Sequence, residues 1–214
     1  MILVLLGPPA SGKGTLAQSL VEKEGWKSYS AGQALRDHVK MNGKYARVAE
    51  KYLTTGRLVP ISILMHVMQE FLRRHRPKKL LLDGTPRNIA QARAMEKALQ
   101  KTHEGFSAFM YFDTTPEVSW KRIRSRMQCS QCKRIYGMQI KPKKKGICNV
   151  CHGKLFHRND DTKKVLQARF GVFEKETLPL VEWAAQRYPV FYINANRSPQ
   201  SALKQVKNAL SLLG

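Results

Sequence analysis

The sequence predicts an α/β fold built around a parallel β-sheet, and three observations support this. The run Ile2–Leu6 is uninterrupted aliphatic sequence, which is typical of a parallel strand buried on both faces. A glycine-rich loop follows it and leads into a segment with helical spacing of apolar residues. Further along the chain, short apolar runs alternate with longer helical patterns, as right-handed β-α-β crossovers require.

The individual elements follow from their apolar spacing. The first helix is expected over Thr15–Glu24, because Leu16, Leu20 and Val21 lie on one face. Short apolar runs predict further strands at 80–83, 108–113 and 190–194. Longer stretches predict helices at 61–74, 88–101 and 162–185, and a last helix that begins at Ser198-Pro199.

Two stretches interrupt this alternation. Residues 30–59 are polar with helical spacing but without a strong apolar stripe. Residues 124–161 contain all four cysteines, scattered glycine and almost no apolar periodicity. We therefore predict two small lobes inserted into one sheet domain, for which 214 residues suffice.

The composition narrows the range of partners. The longest apolar run, Met1–Leu6, is far shorter than the roughly 18 residues of a membrane span, and no basic residue precedes it as in a secretory signal. We therefore expect a cytoplasmic protein without membrane partners. The formal net charge is +23, which favours polyanions such as nucleotides, nucleic acids or anionic lipid surfaces without choosing among them.

The loop after the first strand has the sequence of a phosphate-binding loop. GPPASGKGT (7–15) contains the G-x4-G-K pattern between a predicted strand and a predicted helix. Its backbone N–H groups can surround phosphate oxygens, and Lys13 can reach the terminal phosphates. The hydroxyl that often follows the lysine directly is displaced to Thr15, behind Gly14. This predicts a metal ion held by nucleotide oxygens and water more than by the protein.

The four cysteines predict a structural zinc site. Cys129 and Cys132 form one C-x2-C pair, and 15 residues separate it from a second pair, Cys148 and Cys151. Four thiolates leave no open position for water, so one zinc ion would stabilise the lobe without taking part in chemistry. Two disulfides are the alternative interpretation. Residues 121–158 also contain twelve lysines and arginines and no acidic residue, so the lobe could bind nucleic acid or present a solvated basic surface.

Taken together, these motifs resemble the adenylate kinases, in the long form that has a zinc-bearing lid. The matching blocks occur in the family's order: GPPASGKGT (7–15), SAGQALR (30–36), GRLVP (56–60), LLLDGTPRNIAQA (80–92), the cysteine lobe and RNDD with a later arginine (158–169). The resemblance implies a P-loop nucleoside-monophosphate kinase fold, which is a parallel five-stranded sheet flanked by helices with two inserted lobes. It assigns 1–29, 60–124 and 162–214 to the core, 30–59 to the monophosphate-binding lobe and 125–161 to the zinc lid.

The activity implied by the resemblance is reversible, Mg²⁺-dependent phosphoryl transfer between ATP and a nucleoside monophosphate, by a monomer with one structural Zn²⁺ per chain. The chemistry of the residues agrees with it. Because the acceptor phosphate is already ionised near neutral pH, no general base has to generate the nucleophile. Cations and in-line positioning are needed instead, and arginine forks match phosphate oxygens.

The resemblance also implies roles for individual residues. The ATP site would consist of Pro9, Ala10, Ser11, Gly12, Lys13, Gly14 and Thr15, with Arg122 over the donor base and Arg126 nearby. The AMP site would consist of Ala31, Arg36, Arg57, Val59, Gly84, Arg87, Gln91, Arg158 and Arg169. The catalytic set would be Lys13, Asp83, Arg87, Arg126, Arg158 and Arg169, with Asp83 orienting the waters of Mg²⁺. Asp160 and Asp161 are expected to be hinge or salt-bridge partners.

Several positions depart from the family's pattern. Ala31 replaces the usual Thr or Ser and, with Asn88, resembles the uridylate–cytidylate kinases, whereas Gln91 occupies the position from which adenylate kinases read adenine. We therefore expect AMP as acceptor, with a UMP/CMP or broad-specificity kinase as the alternative. Gln33 replaces an aspartate that helps to order Mg²⁺ waters. Residues 194–198 replace an Asp-Gly turn near the donor base, which leaves ATP or GTP open, and Ala10 replaces a common glycine.

A nucleic-acid-binding protein that has kept a kinase fold is the alternative from another functional class. The net charge and the basic lobe favour it. The retained members of the catalytic set argue against it, since a decayed kinase would be expected to lose several of them. We expect at most weak, nonspecific nucleic-acid binding by the lysine cluster 141–145.

Overall fold

A computed structural model describes residues 1–75, 78–101 and 103–213. The strands in chain order are β1 (Ile2–Leu6), β2 (Lys27–Ser30), β3 (Leu80–Asp83), β4 (Ala108–Asp113), β5 (Met127–Cys129), β6 (Ile135–Tyr136), β7 (Leu155–Phe156) and β8 (Val190–Asn194). The helices are α1 (Lys13–Glu24), α2 (Ala31–Lys40), α3 (Ala46–Thr55), α4 (Ile61–His75), α5 (Ile89–Gln100), α6 (Pro116–Arg124), α7 (Lys163–Val172), α8 (Leu178–Ala185) and α9 (Pro199–Ser211).

The centre of the fold is a five-stranded parallel sheet in the order β2-β3-β1-β4-β8. Both faces of β1 are covered, because Val4 packs into one hydrophobic cluster and Leu3 and Leu5 pack into another. This explains the continuous aliphatic run, since every residue of a central parallel strand faces a helix layer. The predicted α/β class and the parallel five-stranded sheet are confirmed.

Two elements of this core were not located from the sequence. The edge strand β2 pairs with β3 in parallel, with Tyr29 opposite Leu82, yet only Tyr29 of its four residues is buried. The helix α6 is also polar, and it begins where the Thr115 hydroxyl accepts the Val118 N–H at 3.4 Å. Edge strands and exposed helices bury few side chains, so they leave a weak apolar pattern.

The predicted long helix 162–185 is interrupted. A π turn, Phe173–Thr177, lies between α7 and α8, and within it the Leu178 N–H donates to the Phe173 carbonyl. A π turn holds one residue more than an α turn, so the side chains of α8 are rotated about the helix axis relative to the phase set by α7.

Each of the two polar stretches has a small core of its own. In 30–59, α2 and α3 pack together through Leu35 and Ala49, with Ile63 and Val67 of α4 beneath them. In 125–161, a three-stranded antiparallel sheet in the order β6-β5-β7 surrounds the buried cysteines. Its strands have two or three residues, which is too short for a periodic pattern in the sequence. In the described ranges, every helix is too short or too polar to cross a bilayer.

Candidate active site

A cleft opens at the carboxyl ends of β1 and β3, where parallel sheets of this kind bind ligands. All the residues predicted for nucleotide binding or catalysis line it. From the loop after β1 and the start of α1 these are Pro9, Ala10, Ser11, Gly12, Lys13, Gly14 and Thr15. From the rest of the chain they are Ala31, Arg36, Arg57, Val59, Asp83, Gly84, Arg87, Gln91, Arg122, Arg126, Arg158 and Arg169.

The loop between β1 and α1 has the backbone that phosphate binding requires. At Gly7, a Cβ atom would lie 2.6 Å from the Phe112 carbonyl oxygen, so only glycine fits there. Gly12 has a φ of 99° and Ala10 a φ of 57°, and alanine tolerates this left-handed conformation less well than the usual glycine. No side chain caps α1, which leaves its first N–H groups free for an anion.

The Lys13 ammonium is folded back onto this loop. Its Nζ donates to the Gly7 carbonyl at 2.9 Å, the Pro8 carbonyl at 2.8 Å and the Ser11 hydroxyl at 2.9 Å. Burial lowers the pKa of Lys13 to about 8, against the opposing effect of Asp83. A bound phosphate would therefore both attract this ammonium and raise its pKa.

Arg87 lies at the opposite side of the cleft, after the turn that follows β3. Its Nε donates to the Gly84 carbonyl at 2.9 Å, and its own carbonyl accepts the Thr177 hydroxyl at 2.9 Å. Burial, together with the like charge of Arg169, lowers the pKa of Arg87 to about 10, so the group stays cationic near neutral pH.

Gln91 is buried beside Arg87, with 2% of its surface exposed. Its Oε1 already accepts the backbone N–H of Arg87 at 2.8 Å. Its Nε2 has no hydrogen-bond partner within the described residues. The predicted two-bond contact with adenine therefore needs the amide nitrogen as a free donor and the second lone pair of an oxygen that is already engaged.

Two carboxylates pair with three of the arginines. Asp160 accepts from Arg169 and lies 3.4 Å from Arg36 Nη1. Asp161 accepts from two nitrogens of Arg126, with 2.8 Å between Nε and Oδ2. Burial opposes ionisation of Asp160, but Arg169 and Arg36 outweigh it and hold its pKa below the usual value. The expectation that these aspartates form salt bridges is confirmed.

Arg158 is held differently. Within the described residues it forms no salt bridge, and its Nε donates to Gln128 Oε1 at 2.9 Å. Burial, together with the like charges of Arg126 and Arg36, lowers the pKa of Arg158 to about 9. Its two terminal nitrogens are thus free for a doubly charged oxyanion such as phosphate.

Arg122 marks a second, smaller cavity that adjoins the loop. Its Nη2 donates to the carbonyls of Ala195 at 2.7 Å and Arg197 at 3.1 Å, while its Nε and Nη1 are buried without a hydrogen bond. Gln139 Nε2 donates to the same Arg197 carbonyl at 3.0 Å. Pro199 also lines this cavity, a small recess of about 30 Å³ beside the predicted place of the donor base.

The sequence did not indicate one part of the cleft wall. Residues 135–140, between the cysteine pairs, line it, as do Phe173 and Thr177 of the π turn. From the sequence, residues 135–140 are assigned only to the zinc-binding lobe 125–161. A hydrophobic Ile-Tyr pair inside a lysine-rich, cysteine-bearing segment was the available signal.

The cleft also has donors for a hard divalent cation. The Asp83 carboxylate forms no hydrogen bond within the described residues, and its Oδ2 lies 3.5 Å from where a Cβ on Gly14 would be. Its oxygens can therefore accept from the water shell of Mg²⁺, which retains several waters in such sites. Thr15 adds a neutral hydroxyl oxygen to the cleft. Gln33 does not line the cleft, and its amide oxygen already accepts from Gln128 and Arg36.

The four cysteine sulfurs fit a tetrahedral zinc ion. All four lie within 4.8 Å of one another, with 3.4 Å between Cys129 and Cys151 and 3.6 Å between Cys132 and Cys148. A tetrahedron with Zn–S bonds of about 2.3 Å has edges of about 3.8 Å. All four cysteines are free thiols, so the structure does not favour the two-disulfide alternative.

Comparison with known proteins agrees with this geometry. The family model described as adenylate kinase matches residues 5–188. The adenylate kinase of Thermosipho melanesiensis is 34% identical over 212 residues, covering 98% of this chain and 99% of the relative. That of Orientia tsutsugamushi is 36% identical over 210 residues, covering 97% of each, and that of Methanothrix thermoacetophila is 34% identical over 215 residues, covering 99% of each. With a phosphate loop, a cationic cleft and this similarity along nearly its whole length, the chain belongs to the adenylate kinase family.

Proposed function

We propose that the protein catalyses reversible phosphoryl transfer between ATP and AMP to give two molecules of ADP. The observation that carries the proposal is that one lysine and a set of arginines face a single cleft beside the phosphate loop, namely Lys13, Arg36, Arg87, Arg126, Arg158 and Arg169. Such a density of fixed cations matches a triphosphate that faces a monophosphate, and relatives of the chain are named adenylate kinase.

The residues act by positioning and charge compensation. Lys13 and the loop N–H groups bind donor phosphates, while Arg36 and Arg87 bind the acceptor phosphate. Arg126, Arg158 and Arg169 stabilise the charge that spreads over the equatorial oxygens of the transferring group. When bound, Mg²⁺ neutralises phosphate oxygens, and Asp83 would hold its water shell. The reactants supply the nucleophile, so no side chain has to remove a proton.

The three parts of the chain divide this work. The segments 1–29, 60–124 and 162–214 form the sheet core with the loop and Asp83. The segment 30–59 binds the monophosphate through Ala31, Arg36, Arg57 and Val59. The segment 125–161 is a lid, stiffened by one Zn²⁺ on the four cysteines, and its closure excludes water that would otherwise hydrolyse ATP. The core boundary at residue 29 lies within β2, which ends at Ser30.

A coupled assay with ATP and each of AMP, CMP, UMP and GMP tests the proposal. We expect AMP to give the largest kcat/KM, since the free Gln91 amide nitrogen is a donor for adenine N1. A larger value for CMP or UMP would replace this assignment with a pyrimidine kinase. No turnover with any acceptor would overturn the enzyme reading. Because the site comes from one chain, we also expect the active species to be a monomer. Light scattering gives its molar mass, and the coupled assay on the same sample gives its activity.

We propose a second, weaker activity for the lid surface, namely nonspecific binding of nucleic acid. The lysines of the loop 141–145 are exposed and form no salt bridge within the described residues, and they do not line the cleft. Phosphate backbones would release counterions on binding there, so the affinity should depend steeply on salt.

A further inference from the structure

Two glutamine side chains join the segments 30–59 and 125–161. Gln128 on β5 donates through Nε2 to Gln33 Oε1 on α2, at a distance of 3.1 Å. Gln128 is 3% exposed, so this contact is shielded from water. The two residues are 95 positions apart in the chain, and neither belongs to the predicted nucleotide-binding set.

The amide of Gln128 can have only one orientation. Its Oε1 accepts from Arg158 Nε at 2.9 Å, and its Nε2 donates to the Lys133 carbonyl at 3.0 Å as well as to Gln33. A guanidinium can only donate and a carbonyl can only accept, so a flipped amide would lose all three bonds. Gln128 is therefore a fixed link between Arg158 and Gln33.

The amide of Gln33 is fixed for the same reason. Its Oε1 accepts from Gln128 and from Arg36 Nη2 at 3.3 Å, and its Nε2 donates to Asp37 Oδ1 at 2.9 Å. An aspartate or glutamate at position 33 could not donate to Asp37 and would repel it. The neutral amide is thus the side chain that satisfies both neighbours at this position.

We propose that Gln33 and Gln128 are positioning residues that together orient Arg158 and Arg36 for phosphate binding. The relay runs from Arg158 through both amides to Asp37, with a branch to Arg36. This proposal rests on the proposed function, in which Arg158 and Arg36 bind phosphate groups. Arg158 has no carboxylate to orient it within the described residues, so the Gln128 oxygen fixes the plane of its guanidinium. Because the relay joins the segments 30–59 and 125–161, correct orientation of Arg158 depends on contact between them.

Kinetics of single and double variants test the relay. In Gln128→Leu, Arg158 keeps its charge but loses its orientation, so we expect kcat to fall about tenfold while the KM values for ATP and AMP change less than about twofold. Gln33→Leu should lower kcat by a smaller factor. The double variant should be no slower than Gln128→Leu, because both changes break the same chain of bonds. The exposed Gln167 on α7 provides the matched control, Gln167→Leu, with wild-type kinetics expected.

A spectroscopic measurement tests the same inference without relying on the folding of the buried variant. The Arg158 Nε–H signal in a ¹H–¹⁵N spectrum, assigned by its loss in Arg158→Lys, should be slow to exchange with water in the wild-type protein and should shift in Gln33→Leu. Melting temperature and zinc content establish that each variant is folded. Additive effects of the two leucine substitutions, or an Arg158 signal unmoved by Gln33→Leu, would overturn the relay. Absence of ATP–AMP turnover in the wild type would instead overturn the proposed function.

Discussion

Arg126 and Asp161 form a two-bond ion pair at the edge of the cleft, and this pair engages the Nε and Nη2 groups of the arginine. Asp160 accepts a single hydrogen bond from Arg169 Nη2. Without nucleotide, the carboxylates thus balance part of the positive charge of the cleft, which lowers the cost of gathering several arginines in one place. The same contacts fix the orientation of Arg126 and Arg169 without nucleotide.

Removal of an arginine from this set should affect the chemical step. We expect Arg126→Ala or Arg158→Ala to lower kcat by about a hundredfold or more, because a cation that stabilises the transferring group is lost. Steady-state kinetics with saturating ATP and AMP measure this. Arg124, exposed at the end of α6 and outside the cleft lining, gives the control Arg124→Ala, for which near-wild-type turnover is expected. Near-normal kcat in both cleft variants would mean that other residues stabilise the transferring group.

The buried ammonium of Lys13 should make nucleotide capture sensitive to alkaline pH. Its pKa is lowered to about 8, so the free enzyme loses this charge above that pH, and kcat/KM for ATP should fall toward a limit of about tenfold per pH unit. The arginine of a Lys13→Arg variant keeps its charge in this pH range. We expect kcat/KM of this variant to be smaller than that of the wild type, but not to decline above pH 8. An identical alkaline limb in both proteins would assign the titration to another group.

The same group links pH to folding stability. The pKa of Lys13 is lower in the folded protein than its ordinary value of 10.5, so the unfolded chain binds more protons between about pH 8 and 10.5. The contribution of Lys13 to the free energy of unfolding should therefore increase as the pH rises through this interval. Denaturant titrations of wild type and Lys13→Met at pH 7 and pH 10 measure this contribution. The free energy of unfolding of the wild type, relative to that of Lys13→Met, should be larger at pH 10 than at pH 7.

Zinc should support the lid without taking part in the reaction. Metal analysis should give about one equivalent per chain, and Cys148→Ser should lower the melting temperature by about 5 °C or more before it abolishes turnover. Ser130→Ala, an exposed position in the same cysteine loop, should retain both the metal and the melting temperature. A metal-free protein with two disulfides would contradict this prediction.

Acceptor choice should depend on the nitrogen of the Gln91 amide. We expect Gln91→Ala to reduce the preference for AMP over CMP and UMP, since a buried donor for the base is lost. Gln91→Glu retains an acceptor for the Arg87 N–H but loses that donor, so it separates base reading from support of Arg87. Ala31→Thr should sharpen the preference by about three- to twelvefold if the added hydroxyl makes one hydrogen bond. Unchanged acceptor ranking in Gln91→Glu would show that Gln91 acts only through Arg87.

Binding of nucleic acid by the lid should be weak and electrostatic. Reversal of charge in a Lys143→Glu/Lys144→Glu variant should weaken binding to a generic duplex and flatten its dependence on salt, with kcat unchanged, because the loop lies outside the cleft lining. Fluorescence anisotropy at several salt concentrations measures both quantities. Tight, sequence-selective binding near physiological salt would instead revive the reading of the protein as a nucleic-acid-binding protein.

The sequence predicted those features that a local pattern determines. The central strand β1 is buried on both faces, and the phosphate loop follows it within a few residues, so both are visible in Ile2–Leu6 and the glycines that come next. The edge strand β2 has one buried residue, and the lid strands are stabilised by the cysteine cluster more than by an apolar face, so neither produces a periodic signal. Their presence depends on partners that are distant in the chain.

In the site, too, local motifs predict some features, whereas contacts between distant segments determine the others. The resemblance named residues that all line the cleft, since motif positions are tied to the ends of strands and helices. It could not show that the Gln91 oxygen is engaged by Arg87, or that Gln33 contacts Gln128 from 95 positions away. The substitution of an amide for aspartate at position 33 could be read only as a loss for Mg²⁺. Its hydrogen bonds to both segments become apparent only in three dimensions.

The π turn between α7 and α8 determines how the side chains of one helix are rotated about the common axis relative to those of the other. Each residue advances an α-helix by about 100°, so the extra residue of the π turn rotates everything after it by about that amount. Upstream, Arg169 lines the cleft; downstream, Leu180 and Trp183 face the hydrophobic core. Deletion of one residue from Phe173–Thr177 would convert the π turn into a regular α turn. Either Arg169 would then turn away from the cleft, or Leu180 and Trp183 would turn away from the core. The length of this segment is therefore as constrained as its composition, and the enzyme should tolerate substitution at Lys175 far better than its removal.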